Sequence, residues 1–91
     1  MGKRSRRKRS WSNISIDILE ASLTPLSKTR LMYKSDLNFK RFNEYFADFL
    51  SKELLKEVEH SSRRAKLYVT SERGKILLAA LKEAQKIFDG T

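Results

Sequence analysis

Six of the seven residues from 3 to 9 are cationic: Lys3, Arg4, Arg6, Arg7, Lys8 and Arg9. Side chains of this type at this spacing do electrostatic work and make no bonds. So dense a block repels itself and buries no apolar face, so it orders only against an anion. Nucleic acid, an acidic protein surface and an anionic membrane are the available classes. The block also carries most of the net charge. Of 20 Lys and Arg, 14 lie beyond it against 11 Asp and Glu, so a formal +9 falls to +3 for the remainder.

Groups that could make or break bonds are sparse. The chain has no cysteine, which removes disulfides and thiolate metal sites. His60 is the single histidine; with no spaced carboxylates near it, it reads as a strand-end residue beside a turn. No nucleophile with a partnered base is found, and three glycines are too few for most phosphate-cradling loops. The expectation is a protein that is not an enzyme and takes neither cofactor nor metal. No apolar run approaches the ~20 residues of a membrane span, and the N-terminus lacks the apolar segment of a secretory signal. A cytoplasmic, nucleoid-associated location without membrane contact is therefore expected.

The elements that must position the charge can be read from periodicity. Residues 1–10 form a basic arm expected to be disordered; from Trp11 onward apolar residues recur with only short gaps, so residues 11–91 form one domain with a modest core. Ser12 or Asn13 can cap a first helix running to about Thr24, with Pro25 ending it. Ile14, Ile18 and Ala21 supply its helical spacing. Ser27 opens a short second helix to about Lys34, and Ser35-Asp36-Leu37-Asn38 reads as a tight turn whose asparagine caps the third helix. Over Phe39 to Lys52, at ~100° per residue, Phe39, Phe42, Tyr45, Phe46, Phe49 and Leu50 share an arc of roughly 140°. An aromatic stripe of this kind is core material. Lys40, Arg41, Asn43, Glu44, Ala47, Asp48 and Ser51 face outward. Leu54 to His60 and Lys66 to Thr70 read as short strands joined by a basic turn. Thr70 or Ser71 caps a last helix to about Asp89, ended by Gly90.

Helix, helix, tight turn, helix, basic-tipped hairpin, helix is a winged helix-turn-helix, mostly α with a small α+β wing. A helix about 10–12 Å across matches a major groove about 12 Å wide, so the polar face of the third helix can meet base edges. Candidate DNA-binding residues are Lys28 at the head of the second helix, Lys40, Arg41, Asn43, Glu44 and Ala47 on the third, and Arg63, Arg64 and Lys66 on the wing. The arm can follow the backbone or enter the adjacent minor groove. Glu44 either accepts from a cytosine amino group or pairs with Lys40 one turn earlier, the pairing being favoured.

The stretch Ser27-Lys28-Thr29-Arg30-Leu31-Met32-Tyr33-Lys34, followed by Leu37-Asn38-Phe39 and Tyr45-Phe46, resembles a family of small archaeal winged-helix proteins. That family includes basic DNA-binding chromatin proteins of about ten kilodaltons. Thr70-Ser71-Glu72-Arg73-Gly74 is similar to the family's Thr-x-x-Gly opening of the last helix. The resemblance runs from about Arg9 into the last helix and implies a winged helix, DNA binding and dimerisation through that helix. The chain departs from it in two places. Glu53 stands where the family commonly has a glycine, so either the backbone is strained or the helix end shifts by one residue. The last helix is also shorter than the coiled-coil helices of the chromatin members.

The last helix supports the dimer on its own pattern. With Ile76 at zero on a helical wheel, Leu77, Ala80, Leu81, Ala84, Ile87 and Phe88 fall within roughly 140°, wider than the ~100° stripe that one small core requires. A second copy is the simplest cover, with Ala80 and Ala84 permitting close approach. The alternative is a monomer whose helix is sandwiched between the first helix and Trp11. Two further functional classes stay open: a protein-interaction winged helix and an RNA-binding protein. Within the DNA-binding class, a transcription regulator and an architectural chromatin protein are both compatible with the residues.

Overall fold

A computed structural model describes residues 10–59 and 66–90. Along the chain these form α1 (Trp11–Ala21), α2 (Lys28–Ser35), α3 (Phe39–Ser51), β1 (Leu55–Glu59), β2 (Lys66–Thr70) and α4 (Glu72–Asp89). The strands pair antiparallel, with Leu55 opposite Thr70 and Glu59 opposite Lys66. The architecture is the expected one: mostly helical, with a two-stranded wing between the third helix and the last.

Each helix opens on a side chain that satisfies an orphan amide. Ser27 accepts from the Arg30 amide at 3.2 Å, Asn38 from Arg41 at 2.8 Å and Ser71 from Gly74 at 3.0 Å. Such caps contribute about 1 kcal/mol each; Ser27 and Asn38 sit where the sequence placed them, and Ser71 is the one of the two expected candidates, Thr70 and Ser71, that caps α4. Ser71, three residues before Gly74, takes the place of the threonine in the Thr-x-x-Gly pattern. The cap of α1 is different from expectation. It is Ser10, not Ser12 or Asn13; Asn13 instead gives its amide to Ser10 Oγ at 3.1 Å. Ser10 thus belongs to the folded domain, not to the arm.

The end of α1 also departs from expectation. The helix stops at Ala21, short of Thr24 and well before Pro25. Ser22 turns the chain instead. Its hydroxyl reaches back to the Ile18 carbonyl at 2.7 Å, and its own carbonyl accepts the Thr70 amide at 2.8 Å. The segment then runs beside β2, where Leu26 and Tyr68 exchange backbone hydrogen bonds of 3.1 and 2.8 Å. Thr70 ties the junction together. Buried to 2% exposure, it donates from Oγ1 to the Leu19 carbonyl at 2.8 Å and lies 2.9 Å from Ser22 Oγ. Two hydroxyl hydrogens serve three contacts, so the pair forms a short polar chain inside the core.

The core gathers Ile14, Ile18 and Leu19 of α1, Leu31 of α2, Phe42, Phe46 and Phe49 of α3, then Leu54, Leu55 and Leu78. Phe42 and Phe46 stack at 5.4 Å between centroids, and Tyr68 meets Phe46 edge-on at 4.9 Å. The aromatic stripe of α3 is core with one exception. Phe39 is 68% exposed. It lies about 50° from the centre of the Phe42–Phe46–Phe49 face and occupies the first helical position, beyond the packed layer.

Glu53 settles the alternatives left by the missing glycine in favour of strain. Its φ is 61°, left-handed, while the Leu54 amide closes on the Phe49 carbonyl at 2.8 Å. The α4 N-terminus holds this turn in place: Ser71 Oγ donates to the Glu53 carbonyl at 2.7 Å and Arg73 Nε to the Lys52 carbonyl at 3.0 Å. A left-handed non-glycine residue costs about 1–2 kcal/mol, and glycine gives back about 0.5–1 kcal/mol through unfolded-chain entropy. Glu53→Gly is therefore expected to stabilise the chain by about 0.5–1 kcal/mol. Thermal unfolding followed by circular dichroism should show a midpoint a few degrees higher. A lower midpoint would mean that the Glu53 side chain contributes more than its backbone conformation costs.

Candidate nucleic-acid interface

The turn between α2 and α3 rests on Asp36, left-handed at φ 55°, and on Asn38 as the cap of α3. Leu37 is half-buried between them. This short connection crosses α3 against α2 and leaves one side of α3 in solvent. On that side Lys40, Arg41, Glu44 and Ala47 are exposed and Asn43 is half-buried. The structure therefore brings the third-helix candidates onto one surface.

Two of the cations are braced by aromatic rings. Lys28 Nζ sits 5.0 Å from the Phe46 centroid, and Arg41 Cζ 5.9 Å from that of Tyr45. Contacts of this kind draw the charged head itself to the ring face, which orients the side chain while its N–H groups keep the capacity to donate to an anion. The acidic residues on the helix behave differently from each other. Asp48 is paired with Lys52 at 2.6 Å. Glu44 makes no ion pair among the described residues, so the favoured pairing with Lys40 is not formed. Lys40 precedes Glu44, the less favourable orientation for an i,i+4 pair, whereas in Asp48 and Lys52 the acid comes first.

The base of the wing is charge-mixed. Lys56, Glu57, Glu59 and Lys66 are all exposed, and Lys66 Nζ lies 3.7 Å from Glu57. An exposed pair of this length is weak, so a phosphate could displace the carboxylate. Arg63, Arg64 and His60 at the tip lie outside the described residues, as do Lys3, Arg4, Arg6, Arg7, Lys8 and Arg9.

α4 divides into two faces. Gly74 and Leu78 are buried, with Leu77 and Leu81 half-buried. Lys82 pairs with Glu20, and Gln85 Nε2 donates to Asn13 Oδ1 at 3.0 Å, which fastens α4 to α1. On the adjoining flank Ala80 and Ala84 are exposed, and so are Ile76 and Ile87 at 72% and 71%; Phe88, in the last turn, is 88% exposed. Trp11 is 51% exposed and covers none of the three to any great extent.

Among the described residues no cluster of His, Cys, Asp or Glu could hold a metal ion, and no helix is long and apolar enough to cross a membrane. Sequence reasoning missed Phe39 as a surface residue, because its type and spacing match those of the core aromatics. It also missed the tie from Leu26 to the wing.

Solved structures of other proteins share this arrangement. Sso10a-2, a DNA-binding protein from Sulfolobus solfataricus, matches with a TM-score of 0.77 at 25% identity, over 89% of this chain and 83% of that one. YodB from B. subtilis matches at 0.67 and 18% identity, over 89% and 80% of the respective chains. The MarR family transcriptional regulator SPO1453 from Silicibacter pomeroyi matches at 0.62 and 15% identity, over 84% of this chain and 55% of that one. The last two show a shared fold. No curated protein matches the sequence. The model of one family, however, extends over residues 8–88, so the wing, the turn between α2 and α3 and the last helix are all accounted for together: the chain belongs to the winged helix-turn-helix family.

Proposed function

We propose that the chain binds double-stranded DNA as a dimer and acts as a transcription regulator or an architectural protein of the nucleoid, without catalysis. The observation that carries this reading is the outward side of α3. It is held rigid by three buried phenylalanines, presents Lys40, Arg41 and Asn43 to solvent, and has the braced Lys28 at its edge. The 25% identical neighbour Sso10a-2 is itself a DNA-binding protein. In this reading α3 enters the major groove, the wing tip meets the neighbouring phosphates and the arm at residues 1–9 tracks the backbone.

One competition titration separates duplex DNA, duplex RNA and single strands, and duplex DNA should win at equal salt. Preference for duplex RNA would replace this reading with the RNA-binding one. Selection from a randomised duplex pool then tests α3. If Asn43 reads an adenine, Asn43→Ala should change preference at one position by about 1–3 kcal/mol. An unchanged selection would remove Asn43 from the reading set.

The dimer rests on the uncovered face of α4. Ile76, Ala80, Ala84 and Ile87 lie along a flank of α4 next to its packed face, and Phe88 is exposed on the last turn, past the end of that packing. A small protein has little stability to lose by leaving such a surface in water. Light scattering at micromolar concentration should give twice the 10.7 kDa chain mass. Ile87→Glu, at a position exposed in the single chain, should return the single-chain mass while the fold is kept. A parent that scatters as one chain across that range would end the dimer and, with it, the expectation of a two-fold symmetric site.

A further inference from the structure

We infer that Phe39 is a base-contacting residue that recognises the 5-methyl group of thymine in the major groove. The inference rests on the DNA-binding reading above and adds a specificity-determining residue to it.

Phe39 has the type and spacing of a core residue but is not in the core. The residue is 68% exposed at the first position of α3. On the helical wheel it stands about 40° from Asn43 and about 80° from Ala47. Phe39, Asn43 and Ala47 therefore form a ribbon along the flank of α3 that leads the helix into whatever it meets. The residues at the N-terminus of a helix in this position are the ones that approach base edges.

The surroundings select the occupant. Phe39 walls a cleft of about 110 Å³ with Lys28, Thr29 and Met32, above the buried Phe42. Lys28 lines the cleft, the exposed Lys40 is the next residue along α3, and no carboxylate lines the cleft. An apolar protein partner would have to desolvate those ammonium groups without compensation. Duplex DNA suits both features, because its phosphates meet the cations while its major groove offers one apolar group, the thymine methyl. The phenyl ring cannot donate or accept a conventional hydrogen bond, so among the base edges only that methyl complements it.

The test is a thermodynamic cycle between protein and DNA. The parent chain and Phe39→Ala are titrated with an A·T-rich duplex and with the same duplex carrying deoxyuridine in place of every thymine. Phe39 is largely exposed, so the variant should keep the parent's circular dichroism spectrum. For the parent, removing the methyl should weaken binding by about fourfold for each one contacted, the equivalent of burying one such group. Phe39→Ala should bind the thymine duplex more weakly and should no longer distinguish the two duplexes. Any change of DNA shape on removing methyls affects both proteins alike and cancels in the cycle. Equal thymine-to-uracil ratios for parent and variant, whether at unity or above it, overturn the inference. If that occurs while the parent still binds duplex with steep salt dependence, only the role of Phe39 falls. A parent that binds neither duplex removes the DNA-binding reading along with it.

Discussion

Gly74→Ala should destabilise the chain by about 3 kcal/mol or more, the upper end of the range for overpacking a core. Helix propensity alone gives the opposite sign, since alanine inside a helix is favoured over glycine by about 1 kcal/mol. Packing decides. A Cβ on Gly74 would stand 2.2 Å from the Leu54 carbonyl oxygen and 2.7 Å from Thr70 Cγ2. Neither neighbour is free to yield. The Leu54 carbonyl accepts the Ser71 amide at 3.0 Å, and Thr70 is held through its hydroxyl to Leu19 and Ser22. Relief requires the start of α4 to lift away from Leu54, which breaks the bond from the Ser71 amide and the two bonds that hold the Glu53 turn. At about 4–8 °C per kcal/mol for a domain of this size, the unfolding midpoint should fall by roughly 12–24 °C. A midpoint within a few degrees of the parent would show that α4 can slide without loss.

The second large effect is on affinity. Removal of residues 2–9 should flatten the slope of log K against log salt by up to roughly five units, from a contribution of about 0.9 per phosphate neutralised. Binding should be weakened most at low salt, by several orders of magnitude between the extremes expected for six cations. Sequence preference should survive, because phosphate contacts position a protein without reading bases. The slope is measured by fluorescence anisotropy on one duplex across a salt series. A slope that barely moves would place the arm elsewhere than on the DNA, and an acidic protein surface would become the better partner for it.

Much of the fold was legible because local chemistry and burial agree there. Ser27, Asn38 and Ser71 have the side chains that cap helices and stand just before apolar periodic runs; no distant contact competes with them. Phe42, Phe46 and Phe49 repeat at helical spacing and are the core. The departures come where distant residues decide. Ser22 ends α1 through Thr70, forty-eight positions away, and nothing in the local sequence marks that partner. Leu26 joins the wing by backbone groups alone, which every residue carries and no pattern reveals. Phe39 obeys the period of its helix but lies past the last layer that covers it, and wheel position does not report how far a neighbouring element extends. Glu53 shows that a turn can be imposed from outside, here by α4. The polar side of α3 was readable as a surface. Its internal pairing was not, because Asp48 found Lys52 while Glu44 did not take Lys40.

The tie between Leu26 and Tyr68 has a further consequence, for solubility. It occupies the Tyr68 amide and carbonyl on the side of β2 that faces away from β1, and Ser22 takes the Thr70 amide, so another chain would not find a continuous row of free groups there. Among the described residues the open edge of the sheet is that of β1. That edge is five residues long and carries Lys56, Glu57 and Glu59 in exposed positions. A short edge crowded with charge resists strand addition, because an incoming strand would have to bury those charges or meet their like. An added strand at this edge of the wing is thereby disfavoured, whatever the concentration of chains around it.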